Sequence, residues 1–237
     1  MAIFTSDEEI KAHIEKAYED AKSFKTKLTT TGLLASGILN FFGMSGRRTR
    51  VFLNSLGEKP GTRYAEVGTH MGSTLFSVMY ENQYITAVCC DNWSEFGGPR
   101  EIFNKNATMF MSVAGPNQSL TLYDGDFRNL KFGEDQWSNI DFYNFDGPHQ
   151  KQDQYDGIVK AYPGLADRFM LFVDDWNWPG PKEGTLEALD HLGVEIIHKI
   201  EITTPPEEFN QNGAVINRFQ FSDWHNGIAV FGCKKTR

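Results

Sequence analysis

The sequence predicts an α/β fold: a seven-stranded, mostly parallel sheet with its last strand antiparallel, helices on both faces, and a helical extension in front. From Arg63 onward, short apolar runs alternate with glycine-containing turns and amphipathic stretches, the pattern of βα units around a parallel sheet. The last two strand-like runs have no helix between them, so they are expected to pair antiparallel at one edge of the sheet. The length of 237 residues, with 40% hydrophobic and 14% aromatic content, suits one domain with one substantial core. Residues 1–60 are read as the extension or lid and 61–237 as the main domain.

Ser6 to Phe24 carries Ile10, Ile14, Ala17 and Ala21 at helical spacing behind a Ser-Asp-Glu-Glu opening, which predicts a capped amphipathic helix. A second helix is expected from Ser45 to Leu56, stopping near Gly57. Leu33 to Phe42 is apolar enough for a third short helix, a patch folded over a site or the face of a symmetric dimer, with simple packing against the core the favoured reading. Strands are expected at Tyr64–Val67, Tyr84–Cys90, Leu120–Tyr123, Asp141–Phe145, Met170–Val173, Val194–Ile202 and Gly227–Gly232. Helices are expected at Ser73–Tyr80, Arg100–Ser112, Gln152–Tyr162 and Lys182–Leu192, and Thr203–Asn226 reads as a polar connection.

With 23 Lys plus Arg against 31 Asp plus Glu, the net charge of -8 offers no basic surface for a phosphate backbone, so nucleic acid is not expected as a partner. Three cysteines, Cys89, Cys90 and Cys233, cannot all pair, which points to a reducing cytoplasm. The start is acidic rather than signal-like, and the apolar run Gly32–Met44 is shorter than the ~20 residues a bilayer needs, so no membrane association is expected.

Candidate chemistry begins at the first βα unit, Arg63-Tyr-Ala-Glu-Val-Gly-Thr-His-Met-Gly-Ser-Thr74. In an open parallel sheet ligands sit beyond the carboxyl ends of the strands. Gly68 and Gly72 let backbone approach a ligand, and the amides at Ser73 and Thr74 open the helix. The turn is G-x-x-x-G, not the G-x-G-x-x-G of a pyrophosphate site, which counts against NAD and FAD. Asp91, 23 positions after Gly68 in Val88-Cys-Cys-Asp-Asn-Trp93, suits either a ribose diol or simple turn chemistry. Asp126, in Tyr123-Asp-Gly-Asp-Phe127, suits either an adenine edge or a turn.

These motifs, in this order along residues 60–233, resemble the class I S-adenosylmethionine-dependent methyltransferases, with their Rossmann-like sheet. The resemblance implies that Glu66, Gly68, Thr69, His70, Gly72, Ser73 and Thr74 surround the methionine moiety. It further implies Asp91, Asn92 and Trp93 about the ribose, Gly125, Asp126 and Phe127 about the adenine, and Asp146 among the cofactor-binding residues.

The fourth and fifth strands end in Asn144-Phe-Asp-Gly-Pro-His149 and Leu171-Phe-Val-Asp-Asp-Trp176, which brings Asp146, Asp174 and Asp175 to one rim. Carboxylates that converge without His or thiolate neighbours need protons or a hard cation such as Mg²⁺; alternatively they cap loops and helices. The spacing of 28 between Asp146 and Asp174 resembles the metal site of catechol O-methyltransferases and, more closely, of macrocin-type sugar O-methyltransferases. Asp146-Gly-Pro-His149 departs from the latter group's Asp-Gly-Asp-x-Tyr. His149 stands where the catechol enzymes carry a lysine base, and an imidazole near its reference pKa of about 6.5 would serve as base near neutral pH; a surface histidine without a role is the other reading. His13, His70, His191, His198 and His225 show no metal-ligand spacing. Trp93, Phe96, Trp176 and Trp178 either pack in the core or wall a pocket, and the tandem Trp176 and Trp178 are the pair expected outside the core.

The expected function is therefore methyl transfer from S-adenosylmethionine to a hydroxyl of a small-molecule acceptor, with Mg²⁺ on the three aspartates and Asp146 and His149 catalytic. A metal-independent methyltransferase and a non-catalytic protein holding an adenosyl ligand are the alternatives. Methylation of a DNA amino group is disfavoured because no Asp/Asn-Pro-Pro-aromatic stretch follows the fourth strand.

Overall fold

Seven strands form one sheet in the order β3-β2-β1-β4-β5-β9-β6 in the computed structural model, which describes residues 3–28, 37–115, 117–205, 208–209, 215–217 and 223–236. They are β1 (Arg63–Val67), β2 (Thr86–Asp91), β3 (Ser119–Asp124), β4 (Ile140–Phe145), β5 (Leu165–Val173), β6 (Glu195–Ile202) and β9 (Ile228–Lys234). The first five run parallel, and β9 enters antiparallel between β5 and β6. β6 is therefore the edge, and the antiparallel pairing of the last two long strands holds. Within the polar connection, β7 (Glu208–Phe209) and β8 (Val215–Asn217) pair as a small separate ladder.

The helices are α1 (Asp7–Lys22), α2 (Arg47–Leu56), α3 (Ser73–Met79), α4 (Arg100–Val113), α5 (Lys151–Ala161) and α6 (Pro179–His191). Ser6 caps α1 by accepting from the Glu9 amide, and the acidic first turn complements the helix dipole. Gly57 ends α2. α6 begins at Pro179, three residues before the expected start, because proline is tolerated in a first turn whose amides need no partner. β5 begins five residues before the expected start: the polar Asp167 and Arg168 hid it, and Arg168 is matched by Asp7 at 2.7 Å. β2 begins later than expected because Tyr84, at φ 58°, is turn.

Period-two alternation sends each central strand's side chains into two cores. Tyr64, Phe142, Met170 and Phe172 join α1–α4 on one face, while Val67, Tyr143, Phe145, Leu171 and Val173 meet α5 and α6 on the other. The expected short helix at Leu33–Phe42 is partly seen as a 3-10 turn, Ile38–Asn40; residues 33–36 lie outside the described residues. The three cysteines are free and buried, and no helix among the described residues is long and apolar enough to cross a membrane.

The N-terminal helix is built into this core. Ile10 and Ile14 lie on Gly232 of β9, where a Cβ would come within 2.9 Å of Ile14 Cδ1. Ile14 is fully buried, so Ile14→Ala is expected to cost about 2–5 kcal/mol in urea unfolding, as a single transition. A cost below about 1 kcal/mol, or a separate early transition, would make residues 1–60 a loosely docked extension.

Candidate functional site

All the parallel strands deliver their carboxyl ends to one rim, and a cavity of about 610 Å³ opens there. The turn after β1 forms its floor. Gly68 sits at φ 86°, and a Cβ on it would overlap the backbone carbonyl of Asp146. The Asp146 amide in turn donates to Val67 O at 2.9 Å, which holds the first residue after β4 beside the turn after β1.

On the β1–β3 side the cavity is lined by Gly68, His70, Asp91, Asn92, Gly125 and Phe127. Asp91 accepts from the His70 amide through Oδ2 and from the Trp93 amide through Oδ1, both at 2.7 Å, so it ties two loops while facing the cavity. Asp126 caps the following 3-10 turn, accepting from the Arg128 amide at 2.8 Å, and lies outside the lining. Gly72, Ser73, Thr74 and Trp93 also lie outside it. Ser73 Oγ faces Ser45 Oγ at 3.3 Å, beneath the segment Phe42–Ser45 that roofs the cavity.

Glu66 and Thr69 point inward instead. The Glu66 carboxylate is fully buried and accepts from Thr69 Oγ1 at 2.7 Å, Asn144 Nδ2 at 3.2 Å and the Tyr64 hydroxyl. Burial raises its pKa to about 7 despite these donors.

On the β4–β5 side Asp146, His149, Asp174, Asp175 and Trp178 line the same cavity. His149 Nε2 lies 2.8 Å from Asp175 Oδ2 and 3.5 Å from Asp146 Oδ1, yet neither approach is aligned as a hydrogen bond. Burial lowers the imidazole's pKa, but the two carboxylates outweigh it and raise it to about 10. The aspartates are driven apart: burial and its neighbours' charges push Asp174 well up, burial lifts Asp146 to about 6, and contact with His149 outweighs burial to hold Asp175 low. With the aspartates uncompensated, His149 carries a proton at neutral pH, which corrects the expectation of an imidazole near its reference value.

The aspartates do have histidine neighbours, contrary to expectation. Ligand atoms of Asp146, His149 and Asp175, and of Asp174, Asp175 and His225, lie within 4.8 Å of one another in each set. Asn226 Nδ2 donates to Asp175 Oδ1. The signal for His225 and Asn226 was the antiparallel last strand: β9 runs against β5, so the residues just before β9 lie beside those just after β5. The pairing continues past the strands through Trp176 N to Gly227 O at 3.1 Å and Asn177 N to Asn226 O at 2.9 Å.

Of the tandem tryptophans, Trp178 is 40% exposed and meets the His149 ring edge-on at 5.1 Å. Trp176 belongs to the core, at 1% exposure and against Phe231, which corrects the expectation for it. Its neighbour on β6, Glu201, takes the indole N–H at 3.1 Å, so the polar loop did not keep it out.

No protein-family model and no curated protein matches the sequence. Solved structures do match. An O-methyltransferase from Bacillus cereus in complex with S-adenosylhomocysteine aligns over 94% of this chain and 91% of its own, with TM-score 0.55 and 12% identity. A candidate RNA methyltransferase from Pyrococcus horikoshii covers 94% and 98%, with TM-score 0.54 and 12% identity. A precorrin 8w decarboxylase from Methanobacterium thermoautotrophicum covers 82% and 93%, with TM-score 0.52 and 16% identity. The chain has the class I methyltransferase fold. At these identities the likeness is one of architecture.

Arg50, on α2 and 3% exposed, holds the roof of the cavity. Its guanidinium donates to the carbonyls of Ile38, Leu39, Phe41 and Gly43 and to Ser45 Oγ. Nothing in the local sequence marks it, since its partners are backbone. Arg50→Leu would strand these acceptors and is expected to cost about 2–4 kcal/mol, with Phe42–Ser45 becoming fast in amide exchange; unchanged protection would mean that the roof stands by itself.

Glu66 gives a pH test. Its folded pKa exceeds the unfolded value of 4.5, so the folded state binds the extra proton, and stability falls as pH rises from about 4.5 to 7. Glu66→Gln removes that loss, so its advantage over the parent is expected to grow across this window by on the order of 2–3 kcal/mol in urea unfolding. A pH-independent difference would overturn the assignment.

Proposed function

We propose that the chain transfers the methyl group of S-adenosylmethionine to a hydroxyl oxygen of a small acceptor, with a divalent cation such as Mg²⁺ held by Asp146, Asp174 and Asp175. The observation that carries this reading is that one cavity of about 610 Å³, within the range of small-molecule sites, joins the turns after β1, β2 and β3 to an acidic, imidazole-bearing half.

The residues fit both groups. Asp91 uses one lone pair of each carboxylate oxygen on backbone amides, which leaves acceptor capacity for a ribose diol. Gly125 and Phe127 offer backbone and an apolar face to an adenine ring, and Gly68 and His70 line the path between. In the acidic half, His149 Nε2 and Asn226 Oδ1 are buried without a hydrogen-bond partner among the described residues, beside carboxylates that repel one another. When bound, S-adenosylmethionine supplies an electrophilic methyl on a sulfonium. When bound, the cation offsets the aspartates' charge and lowers the pKa of a nearby hydroxyl.

His149 Nε2 receives the hydroxyl proton, and the carboxylates of Asp146 and Asp175 beside that nitrogen stabilise the imidazolium. It can do so only when positive charge in the cluster has released the proton that the bare aspartates hold on it. Trp178 and Phe96 line the site, and much of the acceleration comes from positioning the two reactants in one cavity. The net charge of -8 and the acidic cluster weigh against a polyanionic acceptor, although the fold is shared with the Pyrococcus horikoshii protein.

Calorimetric titration with S-adenosylhomocysteine tests the cofactor. Micromolar binding is expected, weakened in Asp91→Asn by about 1.5–3 kcal/mol, the scale of hydrogen bonds to a charged group. Unchanged affinity in the variant would reduce Asp91 to a loop tie, and no binding to the parent would end the methyltransferase reading. Tight binding without turnover over phenol, sugar and polyketide-like acceptors would favour a binding protein, and turnover unaffected by chelation would favour a metal-independent enzyme.

A further inference from the structure

Asp175 is flanked by two imidazoles, and the mechanism above uses only one. His149 approaches Asp175 Oδ2 at 2.8 Å, while His225 Nδ1 lies 4.0 Å from the other oxygen, Oδ1. His225 closes a set with Asp174 and Asp175 whose ligand atoms lie within 4.8 Å of one another. Asn226, 4% exposed, lines the same cavity, and its Oδ1 has no hydrogen-bond partner among the described residues although its Nδ2 is engaged by Asp175. A buried amide oxygen without a donor, on a residue bound through its other amide atom to Asp175, has acceptor capacity to offer a cation.

The backbone holds this arrangement at a cost. Asp175 and His225 both lie in the left-handed region, at φ 52° and 49°, which non-glycine residues seldom adopt outside sites where the surroundings enforce it. The ladder that runs past the ends of β5 and β9 supplies the enforcement. The donor set is also informative. Mg²⁺ takes oxygen ligands and keeps its waters, whereas first-row transition ions gain from an imidazole nitrogen.

We propose that Asp174, Asp175 and His225, adjoined by Asn226 Oδ1, form a mixed nitrogen and oxygen site that binds a first-row transition cation such as Mn²⁺ in preference to Mg²⁺. The proposal rests on the cation reading above and refines both which ion is held and its ligands, with His225 in the place given there to Asp146. It divides the two histidines: His225 binds the ion from one side of Asp175, and His149 on the other side remains available to the acceptor.

The test uses the full chain, stripped by chelation and loaded with Mn²⁺, read by electron spin-echo modulation for ¹⁴N coupling and by Mg²⁺ competition. The variants are His225→Asn, which puts an oxygen ligand on a residue that tolerates positive φ, and His149→Gln. One ¹⁴N coupling is expected in the parent and in His149→Gln, and none in His225→Asn. Mg²⁺ should displace Mn²⁺ from the parent only at more than about tenfold excess, with the preference moving toward parity in His225→Asn. Should His225→Asn fail to fold, the persistence or loss of coupling in His149→Gln decides which imidazole is the ligand. Absence of ¹⁴N coupling in the parent, its loss in His149→Gln, or equal competition by Mg²⁺ would overturn the proposal while leaving a cation on the carboxylates. Failure of Mn²⁺ to bind at all would remove both cation readings, and the S-adenosylhomocysteine titration would still decide the cofactor separately.

Discussion

The turn after β1 rests on the backbone of the residue after β4, and the rest of the rim is arranged around that contact. Gly68 at φ 86° leaves no room for a side chain against the Asp146 carbonyl, and the Asp146 amide closes the ladder onto Val67. The contact merges what would otherwise be two crevices, one over β1–β3 and one over β4–β5, into one cavity with Asp146 at the seam. A group seated against Gly68 and His70 is thereby within reach of the acidic cluster, which is the geometric condition for moving a group from one ligand to another.

Charge in this cavity is managed by differentiation. Three aspartates at one rim cannot all ionise in a buried setting, and here they take different states: Asp174 is driven toward the neutral acid, Asp175 is held ionised, and Asp146 lies between. The proton on His149 is the counter-charge that makes this tolerable. A cation bound there would compete with that proton for the same negative charge, so its binding would be linked to the basicity of His149. Glu66 shows the other solution: with Tyr64, Thr69 and Asn144 all donating to it, a carboxyl can be buried as part of the scaffold and take no part in the cavity.

Much of this was legible in the sequence, because it is local. Apolar runs of four to nine residues separated by glycine turns give the strands, and a strand end gives the rim, so Gly68, Asp91, Asp146, Asp174 and Asp175 could be brought to one side of the sheet by counting. Alternation could have sorted Glu66 as well, since it shares the parity of Tyr64 and so faces the α1–α4 layer. What stayed hidden is what depends on pairing between distant segments. His225 and Asn226 are remote in sequence from Asp175 and meet it only because β9 is inserted next to β5. The Phe42–Ser45 roof is placed by Arg50 through backbone carbonyls, a partner set that leaves no residue-type signature. Trp176 looked like a surface residue from its polar neighbours and is buried by β6 and β9 instead.

The fold alone cannot assign a reaction here, because the same architecture is shared with a protein described as an O-methyltransferase, one as a candidate RNA methyltransferase and one as a decarboxylase. What separates such proteins must lie in the groups at the rim and in what roofs them. In this chain those groups are concentrated where β4 and β5 end and β9 begins, and the antiparallel β9 is what makes the concentration possible. A parallel strand beside β5 would offer its carboxyl end to the rim, whereas β9 offers the loop that leads into it. That loop can carry a histidine in a conformation no strand would allow, with an asparagine beside it. The antiparallel neighbour of β5 therefore brings to the rim groups that the parallel strands alone could not, and the reaction should be sought there first.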